Sequence, residues 1–408
     1  MSIFVAMKRL LTAITVLFTL ISAIASGVTV GAARTGLYKP LLDGRRVALL
    51  SNHTGMIDSM THTADLMMAE GINLTLLLSP EHGFRGTADA GETVASGRDA
   101  ATGLKVVSMF DGRRHGVSPQ TLAEFDVAVV DLQDVGARFY PFYKPMPQLM
   151  RDCAAADKQV IILDRPNPLG MTVDGPILER SLYSGVGKLP VPVIHGMTMG
   201  ELALMANGEG WVPGGRRVKD LTVIPCEGYT HQTRYTLPVA PSPNLKTQQA
   251  ILLYPSTCLF EGTVMSVGRG TDNPFTLYGH PSYKGEPQGL PVASRGVTFT
   301  PESRPGAKNP PLKGQRCRGA EMTDVSPDTI IARGFDLSYL IDAYRHMPRG
   351  ERFFTTFIDK LVGTPNLRRQ IESGMSADQI RATWQDGLDA FRRVRAKYLL
   401  YPDSSTEK

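Results

Sequence analysis

Residues 74–92 read LTLLLSPEHGFRGTADAGE and pass from an apolar run into a cluster of polar and charged side chains. Apolar runs of about four to eight residues that are closed by Pro and Gly are typical of interior strands in a parallel sheet. The run here ends at Ser79 and Pro80. In open α/β sheets, ligands bind beyond the carboxyl ends of the strands. We therefore expect Glu81 and His82, which come next, to face a substrate.

Strand-like and helix-like patterns alternate around this stretch, from residue 46 to about residue 226. The predicted strands cover residues 47–51, 72–79, 104–109, 127–132, 160–164 and 221–225. The predicted helices cover residues 63–70, 119–125, 146–156 and 199–207. This alternation predicts an α/β fold with a Rossmann-like, mostly parallel sheet. No G-x-G-x-x-G follows the first strand, so the pattern predicts no dinucleotide site, and we expect no cofactor.

A polar cluster follows four of the predicted strands. The clusters begin at Asn52, Glu81, Asp131 and Asp164. Because the carboxyl ends of parallel strands lie at one edge of the sheet, we expect the four clusters to converge. Such convergence favours an active-site cleft over ordinary loops. Glu201 has a different explanation, since the residues Thr198-Met199-Gly200-Glu201 have the pattern of a helix capping box.

The second half of the chain has a different texture, with many turn-forming residues from Pro238 to Gly319. We place a domain boundary near residue 240, which gives a Rossmann-like domain at 26–240 and a smaller α+β domain at 241–408. Helices are predicted at 337–346 and 353–361, and an amphipathic segment at 378–400. The apolar stripe of that segment predicts core packing. Its basic residues predict a solvated face, formed by Arg392, Arg393, Arg395 and Lys397.

The first 25 residues have the pattern of a secretory signal peptide. Lys8 and Arg9 precede an apolar segment at 10–24, and Ala23 and Ala25 provide the small residues of a cleavage site. We expect an exported protein, periplasmic or extracellular, that keeps no stable membrane span after cleavage; an uncleaved N-terminal anchor is the alternative. Cleavage removes two positive charges and no negative ones, so the net charge falls from +5 to +3. This balance does not predict a nucleic-acid binder.

The chain has four cysteines, and their spacing is not that of zinc ligands. They are Cys153, Cys226, Cys258 and Cys317. Cysteines of an exported protein can pair, because the compartment is oxidising. Cys258 and Cys317 fall in loop-rich sequence, and we predict a disulfide between them.

The carboxylates of these clusters could serve glycosidic cleavage. That reaction needs a carboxylic acid to protonate the leaving oxygen, and either a second carboxylate or the 2-acetamido group of the sugar itself. Metal-assisted hydrolysis would use similar residues, but no H-E-x-x-H or H-x-H spacing is present, and we expect no metal. The sequence has no G-x-S-x-G, so a nucleophilic serine is not predicted. The candidate carboxylates are Glu81, Asp131, Asp134, Asp164 and Glu261.

Six motifs in series carry a resemblance to a known family. They read SPEHGFRG, DLQDVGARFY, DRPNPLG with DGPIL, IHGMTMGELA, PSPN and EGTVMSVGRGTDNPF. Together they resemble the NamZ-type exo-β-N-acetylmuramidases, long filed as a domain of unknown function. The resemblance implies a secreted or periplasmic glycoside hydrolase with a Rossmann-like catalytic domain, a C-terminal auxiliary domain and its active site in the cleft between them. The implied reaction releases N-acetylmuramic acid (MurNAc) from the non-reducing ends of peptidoglycan fragments, especially the disaccharide MurNAc-GlcNAc.

The resemblance also implies roles for individual residues. Glu81 corresponds to the catalytic glutamate, and we expect it to act as the general acid. The other catalytic candidates are His82, Asp131 and Asp134. The expected substrate-binding residues are Asn52, His53, Arg85, Arg138, Tyr140, Asn167, His195, Glu261, Arg269 and Thr271. The sequence departs from the family pattern at Val264 and at Leu245-Lys246, which leaves individual subsite contacts open.

MurNAc differs from GlcNAc by a lactyl ether whose carboxylate is anionic. A guanidinium can pair with such a group through two hydrogen bonds. Arg269, which stands between two glycines, is the first choice for this contact, and Arg85 is the second. Two other classes of protein remain open: a cell-wall amidase or esterase that uses His53 or His82, and a non-catalytic muropeptide-binding protein. The oligomeric state and the anomeric outcome of the reaction also remain open.

Overall fold

The computed structural model describes residues 27–80, 84, 97–109 and 116–403. The first part of the chain is built on a seven-stranded sheet and the second on a three-stranded sheet. The predictions for residues 1–25, and those for Glu81, His82 and Arg85, lie outside the described residues.

The larger sheet is mostly parallel, and the order of its parallel strands reverses direction once. Its strands are β1 (Val47–Ser51), β2 (Leu74–Ser79), β3 (Gly97–Arg98), β4 (Lys105–Ser108), β5 (Val127–Asp131), β6 (Gln159–Leu163) and β7 (Leu221–Ile224). They lie in the order β3-β4-β2-β1-β5-β6-β7, and β3 alone of these strands runs antiparallel to its neighbour. The predicted Rossmann-like sheet is confirmed. The order reverses between β1 and β5, and this switch point is where open α/β sheets bind their ligands.

Helices bury both faces of this sheet, which explains why its strands are apolar almost throughout. Along β1, Val47 and Leu49 pack on one face, and Ala48 and Leu50 pack on the other. Helices α1 (Thr35–Leu42) and α2 (Thr63–Ala69) cover the first face. A short helix, α3 (Pro119–Leu122), precedes β5, and α4 (Pro145–Ala155) and α5 (Met199–Gly208) cover the second face. The predicted helices of this part are found at their expected positions, although the one predicted at 119–125 ends at Leu122. Glu201 forms the predicted capping box at the start of α5.

The second part is the smaller α+β domain that the sequence predicts. It begins with α6 (Gln248–Thr257), followed by the antiparallel strands β8 (Leu277–His280), β9 (Arg295–Phe299) and β10 (Cys317–Glu321) in the order β8-β10-β9. Six helices complete it: α7 (Pro327–Arg333), α8 (Ser338–His346), α9 (Phe357–Val362), α10 (Asn366–Glu372), α11 (Ala377–Ala382) and α12 (Gln385–Arg395). The helix predicted at 353–361 begins later, because Phe353 and Phe354 are paired with the segment at Thr263 and Val264.

The amphipathic segment at 378–400 forms two helices, α11 and α12, rather than one. Its apolar stripe is buried as predicted, with Ile380, Leu388 and Phe391 in the core. The prediction that Arg395 lies on a solvated face is wrong, because its side chain is 5% exposed. Its guanidinium donates two hydrogen bonds to the carbonyl oxygen of Gly196, at 2.9 and 2.6 Å, and pairs with Asp403 at 2.7 Å.

Residues 396–403, which follow α12, pack back against the first part of the chain. The Tyr401 hydroxyl donates to Asp164 Oδ2 at 2.7 Å and accepts the backbone N–H of Cys226 at 2.8 Å. The backbone N–H of Leu400 donates to Glu201 Oε1 at 2.8 Å. The end of the second domain is thus part of the interior beside β6 and β7.

All four cysteines are free, buried thiols, so the predicted disulfide between Cys258 and Cys317 is wrong. Cys258 follows α6 and its Sγ faces Glu261 Oε2 at 3.5 Å, whereas Cys317 begins β10 and its Sγ faces the carbonyl oxygen of Gln315 at 3.5 Å. Each thiol packs among its own neighbours as a small apolar group. Among the described residues, no helix has both the length and the apolar character needed to cross a bilayer.

Candidate active site at the carboxyl edge of the sheet

A hydrogen-bonded turn after β1 joins that strand to the end of β5 across the switch point. Asn52 Oδ1 accepts the backbone N–H of Thr54 at 3.0 Å and its hydroxyl at 2.6 Å. The Thr54 hydroxyl oxygen accepts the backbone N–H of Gln133 at 3.2 Å. Gln133 Nε2 in turn donates to the carbonyl oxygens of Asp134 and Pro166, at 2.8 and 2.7 Å. These contacts hold the side chains of Asn52 and Gln133 in place.

Asp131, a predicted catalytic carboxylate, is held in a buried ion pair. Arg165 Nε donates to Asp131 Oδ1 at 2.5 Å and Arg165 Nη2 donates to Oδ2 at 2.9 Å. The Thr63 hydroxyl donates to the same Oδ2 at 2.6 Å. Both carboxylate oxygens therefore have partners within the fold, which indicates a structural role.

Asp164, another candidate carboxylate, caps the start of α5 instead of facing a cleft. Its Oδ1 accepts the backbone N–H of Gly200 at 2.8 Å, and its Oδ2 accepts the hydroxyl of Thr198 at 2.7 Å in addition to that of Tyr401. Burial outweighs these hydrogen bonds and raises the pKa of Asp164 to about 6.

Asp134 and His195 meet at this edge without forming a hydrogen bond. His195 Nε2 lies 3.7 Å from Asp134 Oδ2, with side-chain exposures of 1% and 9%. Asp134 Oδ2 accepts the backbone N–H of Gly136 at 2.8 Å. His195 Nδ1 accepts the backbone N–H of Met197 at 3.2 Å. Among the described residues, Asp134 Oδ1 and His195 Nε2 have no hydrogen-bond partner.

Asn167 and Arg138, both expected to bind substrate, make interior contacts. Asn167 Oδ1 accepts the backbone N–H of Leu169 at 2.9 Å, and its Nδ2 donates to the carbonyl oxygen of Met197 at 3.0 Å. The Arg138 guanidinium donates to the carbonyl oxygens of Pro176, Val191 and Leu361, each at 2.9 Å. Burial lowers the pKa of Arg138 to about 10. These contacts favour a role in joining the two domains over a role in binding a ligand.

His53 and Tyr140 connect the edge of the sheet to the second domain. His53 Nε2 lies 3.1 Å from the carbonyl oxygen of Ala240, and the Tyr140 hydroxyl donates to the carbonyl oxygen of Pro241 at 2.8 Å. The Tyr140 ring also packs edge-on against Tyr254 of α6, with ring centres 5.7 Å apart. The PSPN element, residues 241–244, thus lies beside the carboxyl edge.

Glu261 and Arg269 line a cavity of about 880 Å³ in the second domain. Arg269 Nε donates to Glu261 Oε1 at 2.7 Å, and the guanidinium lies over the ring of Phe275 at 5.0 Å. Burial disfavours the charge of Arg269, but the Glu261 carboxylate outweighs it and raises the pKa of Arg269. Apolar groups complete most of the lining, among them Val264, Met265, Leu312 and Phe357. The cavity can therefore hold a group that combines apolar and anionic parts.

The two glycines around Arg269 are required by the backbone. Gly268 and Gly270 have φ values of 80° and 81°, a region that other residues rarely adopt. A Cβ on Gly270 would lie 2.4 Å from the carbonyl oxygen of Glu302. Thr271, an expected substrate-binding residue, closes this turn through its hydroxyl, which donates to the carbonyl oxygen of Gly268 at 2.6 Å. The turn presents Arg269 to the cavity.

The expected site residues therefore fall into three groups. Asn52, Asp134 and His195 lie at the switch point, Glu261 and Arg269 line the cavity, and the others described make structural or interdomain contacts. Gln133 was missed, although it lies inside the DLQDVGARFY motif and follows a predicted strand. Within the described part of the chain, no group of three or more His, Cys, Asp or Glu side chains is placed to hold a metal ion.

Comparison with known proteins agrees with this architecture. Two family models match in succession: "Exo-beta-N-acetylmuramidase NamZ, N-terminal" over residues 47–249 and "Exo-beta-N-acetylmuramidase NamZ, C-terminal" over residues 252–401. The chain is 36% identical over 379 residues to the peptidoglycan β-N-acetylmuramidase NamZ of Bacillus subtilis (strain 168), and the match covers 89% of each chain.

Two crystal structures from Bacteroides fragilis NCTC 9343, both described as DUF1343 family proteins, have the same fold. The first is 47% identical, has a TM-score of 0.84, and the match covers 93% of this chain and 100% of the other. The second is 26% identical, has a TM-score of 0.75, and the match covers 92% of this chain and 100% of the other.

The fold, the carboxylate-bearing edge and these matches define a two-domain α/β enzyme of the glycosidase class. The chain belongs to the NamZ exo-β-N-acetylmuramidase family. The resemblance inferred from the six motifs is therefore confirmed, as is the prediction that the protein is a glycosidase.

Proposed function

We propose that this glycosidase releases MurNAc from the non-reducing ends of peptidoglycan fragments, with MurNAc-GlcNAc as the preferred disaccharide and Glu81 as the general acid. Family membership and the peptidoglycan β-N-acetylmuramidase activity of the Bacillus subtilis relative support the substrate class. The cavity at Arg269 adds a cationic group that suits the lactyl carboxylate of MurNAc.

The observation that carries the role of Glu81 is the state of the other carboxylates. Both oxygens of Asp131 are held by Arg165 and Thr63, and Asp164 caps α5. Glu261 pairs with Arg269. Glu81 follows Pro80 directly in the sequence, and β2 reaches the carboxyl edge next to β1. Glycoside hydrolysis needs a proton donor at the leaving oxygen. Of the five candidate carboxylates, these contacts leave Glu81 and Asp134, and the family resemblance assigns the proton donor to Glu81.

Asp134 is the described carboxylate best suited to assist. Its Oδ1 has no hydrogen-bond partner among the described residues, and the side chain keeps some exposure. A carboxylate in this state can accept a hydrogen bond from substrate or stabilise the positive charge that develops on the sugar ring.

The Glu81→Gln variant tests this assignment with two substrates. The variant keeps the size of the side chain but removes the proton donor, so kcat on MurNAc-GlcNAc should fall by roughly 10²–10⁴-fold. A dinitrophenyl MurNAc glycoside, whose leaving group needs no protonation, should lose much less. An equal loss on both substrates would assign Glu81 a different catalytic role, and no loss on either would reject it as a catalytic residue.

We also propose that the protein acts outside the cytoplasm, after removal of residues 1–25. The sequence from Lys8 to Ala25 supports this, since a basic start, an apolar core and a small-residue site occur in that order. Mass spectrometry of the exported protein should find an N-terminus at or near Ser26. An intact Met1 in the exported fraction would contradict the proposal.

A further inference from the structure

Four side chains at the switch point each hold one buried polar atom without a partner. The atoms are Asn52 Nδ2, Gln133 Oε1, Asp134 Oδ1 and His195 Nε2, and none has a hydrogen bond within the described structure. A buried polar group without a partner costs about 1–3 kcal/mol. Four of them at the ligand-binding edge of the sheet indicate that a bound partner satisfies them.

The hydrogen bonds of the other atoms determine whether each group can donate or accept. Asn52 Oδ1 accepts a backbone N–H, so the free atom of this amide is its Nδ2 donor. Gln133 Nε2 donates to two carbonyl oxygens, so the free atom is its Oε1 acceptor. Flipping the side-chain amide of Asn52 or of Gln133, so that its oxygen and nitrogen trade places, would therefore break these hydrogen bonds.

The same reasoning applies to the other two side chains. His195 Nδ1 accepts the backbone N–H of Met197, so the ring proton is on Nε2, which is a donor. Asp134 Oδ2 accepts the backbone N–H of Gly136, which leaves Oδ1 as an acceptor. At 3.7 Å, the Asp134–His195 contact does not replace a hydrogen bond for either group.

We propose that Asn52, Gln133, Asp134 and His195 form the recognition surface for the non-reducing sugar, with Asn52 and His195 as donors and Gln133 and Asp134 as acceptors. The inference rests on the proposed function and identifies the groups that it uses. An N-acetylated hexopyranose offers an amide N–H, an amide carbonyl and hydroxyls, which together meet two donors and two acceptors. The residues act by binding and orientation. Sugar hydroxyls alone can also donate and accept, so the assignment to an acetamido group rests on the proposed function.

Variants that change one free atom and keep the other provide the test. Asn52→Asp keeps the oxygen that accepts from Thr54 and converts the free donor into an acceptor. His195→Asn places an amide oxygen where Nδ1 accepts from Met197 and removes the Nε2 donor. We expect each variant to weaken binding of MurNAc, measured by calorimetry, by about 10-fold or more, because each loses a buried hydrogen bond and leaves a substrate group without a partner.

Asn207→Asp is the matched control. Asn207 lies near the end of α5, and its amide bonds both the N–H and the carbonyl oxygen of Val218. This variant should lower the melting temperature and leave the affinity for MurNAc unchanged. Asn52→Asp buries a carboxylate and His195→Asn leaves a cavity, so both should also lower the melting temperature of the free protein. All affinities are therefore compared at a temperature at which circular dichroism shows every variant folded, and Asn207→Asp shows that a lower melting temperature alone does not weaken binding.

The outcomes separate this inference from the proposed function. If the wild type cleaves a MurNAc glycoside but both variants bind MurNAc within twofold of the wild type, the recognition surface is wrong and the proposed function stands. If the variants lose affinity equally for MurNAc and for a hexose without the acetamido group, the assignment to an N-acetyl sugar is wrong. A wild type that neither binds MurNAc nor cleaves its glycosides would overturn both.

Discussion

Arg165 and Asp131 form a two-point ion pair in the interior, where their side chains are 1% and 0% exposed. The pair ties the end of β5, which borders the switch point, to the segment after β6. Its position at a strand end makes Asp131 a catalytic candidate in the sequence. In the structure, its charge instead balances the guanidinium of Arg165, which also donates to the carbonyl oxygen of Met56 at 2.9 Å. The pair supports the edge on which the site is built.

Asp131→Asn should destabilise the protein strongly. The variant leaves the Arg165 charge buried without a counter-ion, which typically costs about 3–5 kcal/mol. Urea denaturation followed by circular dichroism measures the loss. Asp126→Asn, which breaks the exposed pair with Arg46, is the control and should lose far less. Equal losses in the two variants would contradict the structural role of the Asp131–Arg165 pair.

Arg269→Ala should raise KM for MurNAc glycosides about 10-fold or more and reduce the preference over GlcNAc glycosides. The guanidinium faces the cavity beside Glu261 and offers a planar pair of donors to the lactyl carboxylate. Arg269→Lys keeps the charge but not the paired donors, so it should fall between wild type and Ala. Steady-state kinetics on the two glycosides measure both effects, and an unchanged preference would move the contact to Arg85.

Asp164 should make stability fall as the pH rises from about 4 to above 6. Its pKa is raised to about 6 in the folded state, so the folded protein holds a proton that the unfolded chain releases at lower pH. The stabilising contribution is complete below the pKa of the unfolded chain and is lost as the pH passes through about 6. Urea denaturation between pH 4 and 7.5 should show this slope in the wild type and a flatter one in Asp164→Asn. Parallel curves would refute the linkage.

The thiols should be unreactive in the native protein. All four are buried, and burial raises the pKa of Cys153 and Cys226 to about 12. We expect Ellman's reagent to label none of them in the folded state and all four after unfolding without reductant. Two thiols after unfolding would instead indicate that a disulfide had formed.

The parallel sheet, though not its strand order, could be predicted from the sequence because the apolar runs are short, alternate with helix-like segments, and in four of six cases end in a polar cluster, as at Leu50 and Asn52. The parallel sheet and the position of the polar edge follow from this pattern alone. The hydrogen-bond partner of each polar side chain cannot be predicted from this pattern. Asp131 meets Arg165, and Asp164 meets Tyr401, only after the chain has folded.

The same limit explains the errors at Arg395 and at the cysteines. Periodicity places Arg395 on the polar side of α12, but Asp403 and the carbonyl oxygen of Gly196 lie on that side and bury it. Composition shows that Cys258 and Cys317 lie in turn-rich sequence, but it does not show the separate neighbours of the two thiols. Gln133 was passed over because an amide carries no charge, and its importance depends on one unpaired oxygen.

The docking of residues 396–403 against β6 and β7 also constrains the order in which the molecule can be assembled. Tyr401 supplies a hydroxyl to Asp164, a residue that is translated more than two hundred positions earlier. A nascent chain that has completed the large sheet still lacks the contacts that residues 396–403 make beside β6 and β7. The first domain therefore lacks these contacts until residues 396–403 have been synthesised.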